Sequence, residues 1–87
     1  MPMSRLPNRQ WKKADGWVIR NLQWHGNSVV PMKTIRAMYR MYGDAWKETM
    51  EEILTRILRE QGILDDSQSV WVYESSEVPG LWIARWY

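Results

Sequence analysis

The chain has no cysteine, no phenylalanine and a single histidine in its 87 residues. Without cysteine there is no disulfide framework and no thiolate metal site, which suits the cytoplasm. One histidine leaves a metal little but carboxylates to bind, so no metal and no cofactor is expected. No apolar run reaches the ~18 residues of a membrane span. The polar stretch from Met1 to Gln10, with two prolines, lacks the apolar core of a signal peptide. A cytoplasmic protein without a membrane partner is expected.

Catalytic groupings are scarce too. His25 stands beside Gly26 at an expected helix end, and nothing spaces it as a triad with Ser28 and Asp15. The acid pairs Glu51-Glu52 and Asp65-Asp66 fall on a helix face and in a turn, where they read as solvated charges. Glycosidase chemistry needs two carboxyls across a cleft, for which so short a chain has little room. No Gly-rich phosphate loop is present. The chain reads as a binding protein and not as an enzyme.

What is present is lopsided. Seven Trp and four Tyr stand where Phe would be usual, and most of these Trp are expected to fill the core. Net charge is +2, yet residues 1–43 carry eight bases against the single acid Asp15, a balance of +7. Residues 44–87 carry four bases against nine acids, a balance of −5. Such asymmetry points the first half towards a nucleic acid or another anionic partner.

One domain is expected over residues 9–87, after a flexible arm at 1–8 where Pro2 and Pro7 discourage helix. A helical period starts near Arg9 or Ala14 and runs to Trp24, with Val18 and Leu22 on its apolar stripe and Gly26 as its stop. Ser28-Val29-Val30 is a β-branched rung against a sheet edge. Pro31 suits the first turn of a second helix. Ile35, Met38, Tyr39 and Tyr42 make its apolar stripe, and Lys33, Arg36 and Arg40 a second face.

Gly43 ends that helix and Asp44 is placed to cap the next. Trp46, Met50, Ile53, Leu54, Ile57 and Leu58 then repeat at helical spacing. Lys47 with Glu51, Glu52 with Arg56, and Arg56 with Glu60 are expected ion pairs. Gly62 closes the helix in a Schellman cap, with Ile63 folding back on Leu58. The runs Val70–Tyr73 and Leu81–Trp86, joined across Pro79-Gly80, predict a β-hairpin.

The order of elements resembles the winged helix-turn-helix superfamily over residues 11–87. Ser28-Val29-Val30, the turn Tyr42-Gly43-Asp44, and Arg59-Glu60-Gln61-Gly62-Ile63-Leu64 leading into the hairpin carry the resemblance. It implies a mostly helical α+β fold of three helices and a C-terminal β-hairpin wing. It also implies DNA binding, with the third helix in the major groove and the wing beside it. The groove reader would then be Trp46, Lys47, Glu48, Thr49, Glu51 and Glu52, which is an acidic surface, and the wing loop carries Glu74 and Glu77 with no base.

Two functions remain open. In the first, a transcriptional regulator holds double-stranded DNA through Arg5, Arg9, Lys12 and Lys13 on the arm and first helix, with Lys33, Arg36 and Arg40 on the second helix and Lys47. In the second, the fold is a protein-interaction module. Its contact surface is Glu48, Glu51 and Glu52 with the hairpin aromatics Trp71, Tyr73, Trp82 and Trp86. Both hairpin faces look apolar, so a homodimer through the hairpin suits either function. Single-strand binding by stacking needs aromatics interleaved with bases; Trp11 with Arg9, Lys12 and Lys13 is read as the only place where this occurs, so that function ranks behind the other two. Small size, unusual composition and missing catalytic groups suit a phage or mobile-element protein.

Overall fold

In the computed structural model, residues 9–87 are described, with side chains from Gly16 onwards. The elements are α1 (Arg9–His25), β1 (Asn27–Val29), α2 (Met32–Tyr42), a 3-10 turn (Gly43–Ala45), α3 (Trp46–Glu60), β2 (Val70–Glu74) and β3 (Trp82–Trp86). The class is α+β. The expected arm at 1–8 lies outside the described residues.

α1 starts at Arg9, the earlier of the two expected points, and continues through Gly16 despite that residue's cost of about 1 kcal/mol relative to alanine. Burial of Val18 and Leu22 offsets it. The helix stops where Gly26 takes φ 79, and the Gly26 N–H donates to the Leu22 carbonyl at 3.1 Å. β1 follows at once. It lies antiparallel to β3, with Ser28 opposite Ala84, so the sheet order is β1-β3-β2. The expected rung is therefore a true third strand, and the hairpin pairs antiparallel with Val72 opposite Ala84.

The second helix is rotated from the expected face: Met38 is buried and Ile35 packs against the core as expected, but Tyr39 and Tyr42 do not follow them. Thr34, Ala37 and Met38 are buried, whereas Tyr39 and Tyr42 are exposed and Ile35 is half-buried. Tyr39 and Tyr42, whose hydroxyls would need partners if buried, stay at the surface. Pro31 sits at the cap position, one residue before α2. The Asp44 cap does not form: a 3-10 turn intervenes, and Ala45 precedes α3 with no side-chain cap.

The third helix follows its period. Met50, Ile53, Leu54 and Leu58 are buried, with Trp46 and Ile57 packed at the margin. It closes in the expected Schellman geometry. Ile63 N–H donates to the Leu58 carbonyl at 2.9 Å and Gly62 N–H to Arg59 at 3.0 Å, with Gly62 at φ 77. Leu64, and not Ile63, enters the core.

Tryptophan does not fill that core, contrary to expectation. Trp17, Trp24 and Trp71 are exposed, and Trp46, Trp82 and Trp86 are half-buried around an interior of Val, Leu, Ile and Met. A buried indole needs a partner for its N–H. Trp86 has one, donating to the Leu22 carbonyl at 2.8 Å.

Candidate functional site

Lys33, Arg36 and Arg40 are exposed on α2. Spacings of three and seven residues bring them to one side of a helix, and α2 contains no acid. None of the three forms an ion pair among the described residues. Ile35 and Tyr39 lie against Arg36 and Arg40 in a shallow depression of about 580 Å3. Arg20 adds an exposed cation on α1. Arg9, Lys12 and Lys13 lie in the first part of α1, and Arg5 lies outside the described residues.

Lys47 departs from this group. Its Nζ is 3.7 Å from Glu51 Oε2, the one ion pair among the described residues. The expected pairs of Arg56 with Glu52 and Glu60 do not form. Glu51 itself is committed to the fold, because the same Oε2 accepts from the Val72 N–H at 2.8 Å. One turn on, Thr55 Oγ1 accepts from the Val70 N–H at 2.8 Å. β2 is an edge strand, and these two side chains satisfy the outward N–H groups of Val70 and Val72, a common need of sheet edges. Glu51 is thus removed from the expected protein-contact surface. Glu48 and Glu52 remain exposed on α3.

A groove of about 630 Å3 runs between α3 and β2, lined by Glu52, Arg56, Ser69 and Trp71 among others. Arg59 at its end donates to the carbonyls of Asp65, Asp66 and Gln68 at 3.2, 3.2 and 2.7 Å, fixing the turn before β2. The Ser67 hydroxyl, and next the Ser67 N–H, hold the Asp65 carboxyl below its ordinary value of 3.8, with Arg59 adding to the effect. The loop between β2 and β3 is ordered by its own acids and hydroxyls. Glu74 accepts from the Gly80 N–H at 2.7 Å, and Ser75 accepts from Glu77 and Val78 at 3.1 Å.

The sheet divides the four aromatics expected to act together. Alternation along β2 and β3 sends Trp82 and Trp86 towards the helices, where Trp82 meets Trp46 edge-on at 5.0 Å. Trp71 and Tyr73 point the other way, sharing the outer face with Val29, Ile83 and Arg85. Trp82 and Trp86 therefore belong to the packing, and Trp71 is the exposed member, at 56%. Arg85 stacks over Tyr87 at 5.2 Å from the ring centroid.

Sequence reasoning overlooked the exposed stripe Trp17, Arg20, Trp24 on α1. Its signal was available: the three repeat at i, i+3 and i+7, out of phase with buried Val18 and Leu22.

Among the described residues, no three His, Asp or Glu gather as a metal would require. None of the described helices is long and apolar enough to cross a membrane. No protein-family model, curated protein sequence or solved structure matches the chain.

Proposed function

We propose that this chain is a winged helix-turn-helix protein that binds duplex DNA, without catalysis, by gripping phosphates with α2 and the basic residues at the start of α1. The exposed, unpaired trio Lys33, Arg36 and Arg40 on an acid-free helix carries the reading. The helix–strand–helix–helix–hairpin order, with β1 closing the sheet, supports the fold assignment. In this reading α2, and not α3, leads onto the duplex, since Glu48 and Glu52 on α3 repel phosphate. The affinity is then largely independent of sequence and released by salt.

The test is an anisotropy titration with labelled random duplex at low and physiological salt. Wild-type protein is expected to bind at micromolar level and to lose that binding at the higher salt. Arg36→Glu and Arg40→Glu are each expected to weaken it and to flatten the salt slope by about one unit or more. Absence of binding at low salt would remove the DNA reading.

The outer sheet face favours a second reading, a protein interface centred on Trp71 with Val29, Tyr73 and Ile83 around it. A second copy of the chain docked there would set two α2 faces on one duplex. Trp71→Ala would abolish such docking and leave the low-salt DNA affinity of the single chain unchanged.

A further inference from the structure

The outward side of α1 presents Trp17, Arg20 and Trp24 in one row, away from buried Val18 and Leu22. Trp24 is 77% exposed and Trp17 is 46% exposed. At 1.5 Å of rise per residue the two indoles are about 10 Å apart along the axis, and Arg20 stands between them. Arg20 is exposed and forms no ion pair among the described residues. No acid occurs between Gly16 and His25. Among the described residues neither indole has a hydrogen-bond or aromatic partner, in contrast to Trp86 with its hydrogen bond and Trp82 with its aromatic neighbour.

The row fits a partner that offers flat apolar faces and negative charge at short intervals. Duplex DNA has the charge but hides its base faces in the stack. An acidic peptide would satisfy Arg20 and bring no matching planes for the indoles. A single strand supplies both, because every base has a π-face and every base is joined to a phosphate. We propose that Trp17 and Trp24 form a stacking platform for unpaired bases, with Arg20 holding the phosphate between them. The proposal rests on the nucleic-acid reading above and adds single strands to the protein's ligands.

The experiment compares labelled oligo(dT) with labelled random duplex on the full chain and its variants Trp17→Ala, Trp24→Ala, Trp24→Tyr and Arg36→Glu. Trp17→Ala and Trp24→Ala are each expected to lower oligo(dT) affinity by roughly 5- to 150-fold. Trp24→Tyr should restore most of it, and the indole variants should bind duplex as wild type does. Circular dichroism should show all variants folded, since the altered side chains lie outside the core. If Trp24→Ala binds oligo(dT) like wild type while Arg36→Glu still impairs duplex binding, the platform is wrong and the duplex reading stands. If wild type binds neither probe at low salt, the nucleic-acid reading itself is overturned and the platform with it.

Discussion

Thr34 and Thr55 are both buried on helices, yet their hydroxyls have opposite standing. Thr34 Oγ1 has no hydrogen-bond partner among the described residues, whereas Thr55 Oγ1 receives the Val70 N–H. A buried polar group left unsatisfied costs about 1–3 kcal/mol. Thr34→Val removes such a group at nearly constant volume and is expected to raise stability by about 1 kcal/mol, or roughly 4–8 °C in Tm. Thr55→Val creates one, at the Val70 N–H, and is expected to lower stability by about 1–3 kcal/mol. Thermal unfolding followed by circular dichroism reads both. A lower Tm for Thr34→Val would mean that its hydroxyl does have a partner, such as a bound water.

At the scale of elements, α3 both packs the core and seals the edge of β2, and Glu51 joins these roles. Glu51→Ala leaves the Val72 N–H without its carboxylate acceptor. Hydrogen bonds to charged groups contribute about 1.5–3 kcal/mol, and partial exposure of Glu51 places the expected loss near the lower figure. Glu51→Gln keeps an acceptor and should retain most of the stability. Amide exchange at Val72 separates the cases, being faster in Glu51→Ala than in Glu51→Gln. Equal exchange in the two would show that the edge is protected by other means.

The same elements show what could be read from the sequence and what could not. The long period Trp46–Leu58 specifies α3, and two β-rich runs around Pro79-Gly80 specify the hairpin, because each signal is local and repeated. The inward face of α2 was not legible. Met38 belongs both to the stripe of Ile35, Tyr39 and Tyr42 and to that of Thr34 and Ala37, and the choice between them is made by tertiary packing. The tryptophans failed as a group for a related reason. Alternation separates Trp71 from Trp82 and Trp86 only once register fixes which face is covered. The basic trio of α2 was legible, being a spacing of like charges on an acid-free helix. The commitment of Lys47 and Glu51 was not, because Val72 lies 21 residues beyond Glu51 and meets it only in the folded sheet.

Over the molecule's described residues, charge is uneven: α2 has bases and no acid, while exposed Glu48 and Glu52 mark the first turns of α3, whose bases are Lys47, Arg56 and Arg59. On the proposed DNA-binding reading, this distribution gives a way to ask which helix leads onto the duplex. Two unit charges 4 Å apart in water interact by about 1 kcal/mol, and screening becomes strong beyond about 8 Å at physiological salt. If α2 leads, the α3 carboxylates act on phosphate across such a distance. The double variant Glu48→Gln, Glu52→Gln should then tighten duplex binding only modestly, by roughly threefold or less. It should do so equally for all sequences, with the salt slope nearly unchanged. If α3 instead lies in the groove, the same variant removes two carboxylates from direct contact with bases and phosphates. Affinity would rise more than tenfold at about 1 kcal/mol or more per charge, and preference among duplexes would change, since a carboxylate accepting from cytosine N4 would be lost. Titration of the variant against a GC-rich and an AT-rich duplex distinguishes the two. A large, sequence-dependent gain would return α3 to the role that its place in the chain suggests, and would leave α2 as a phosphate clamp beside it.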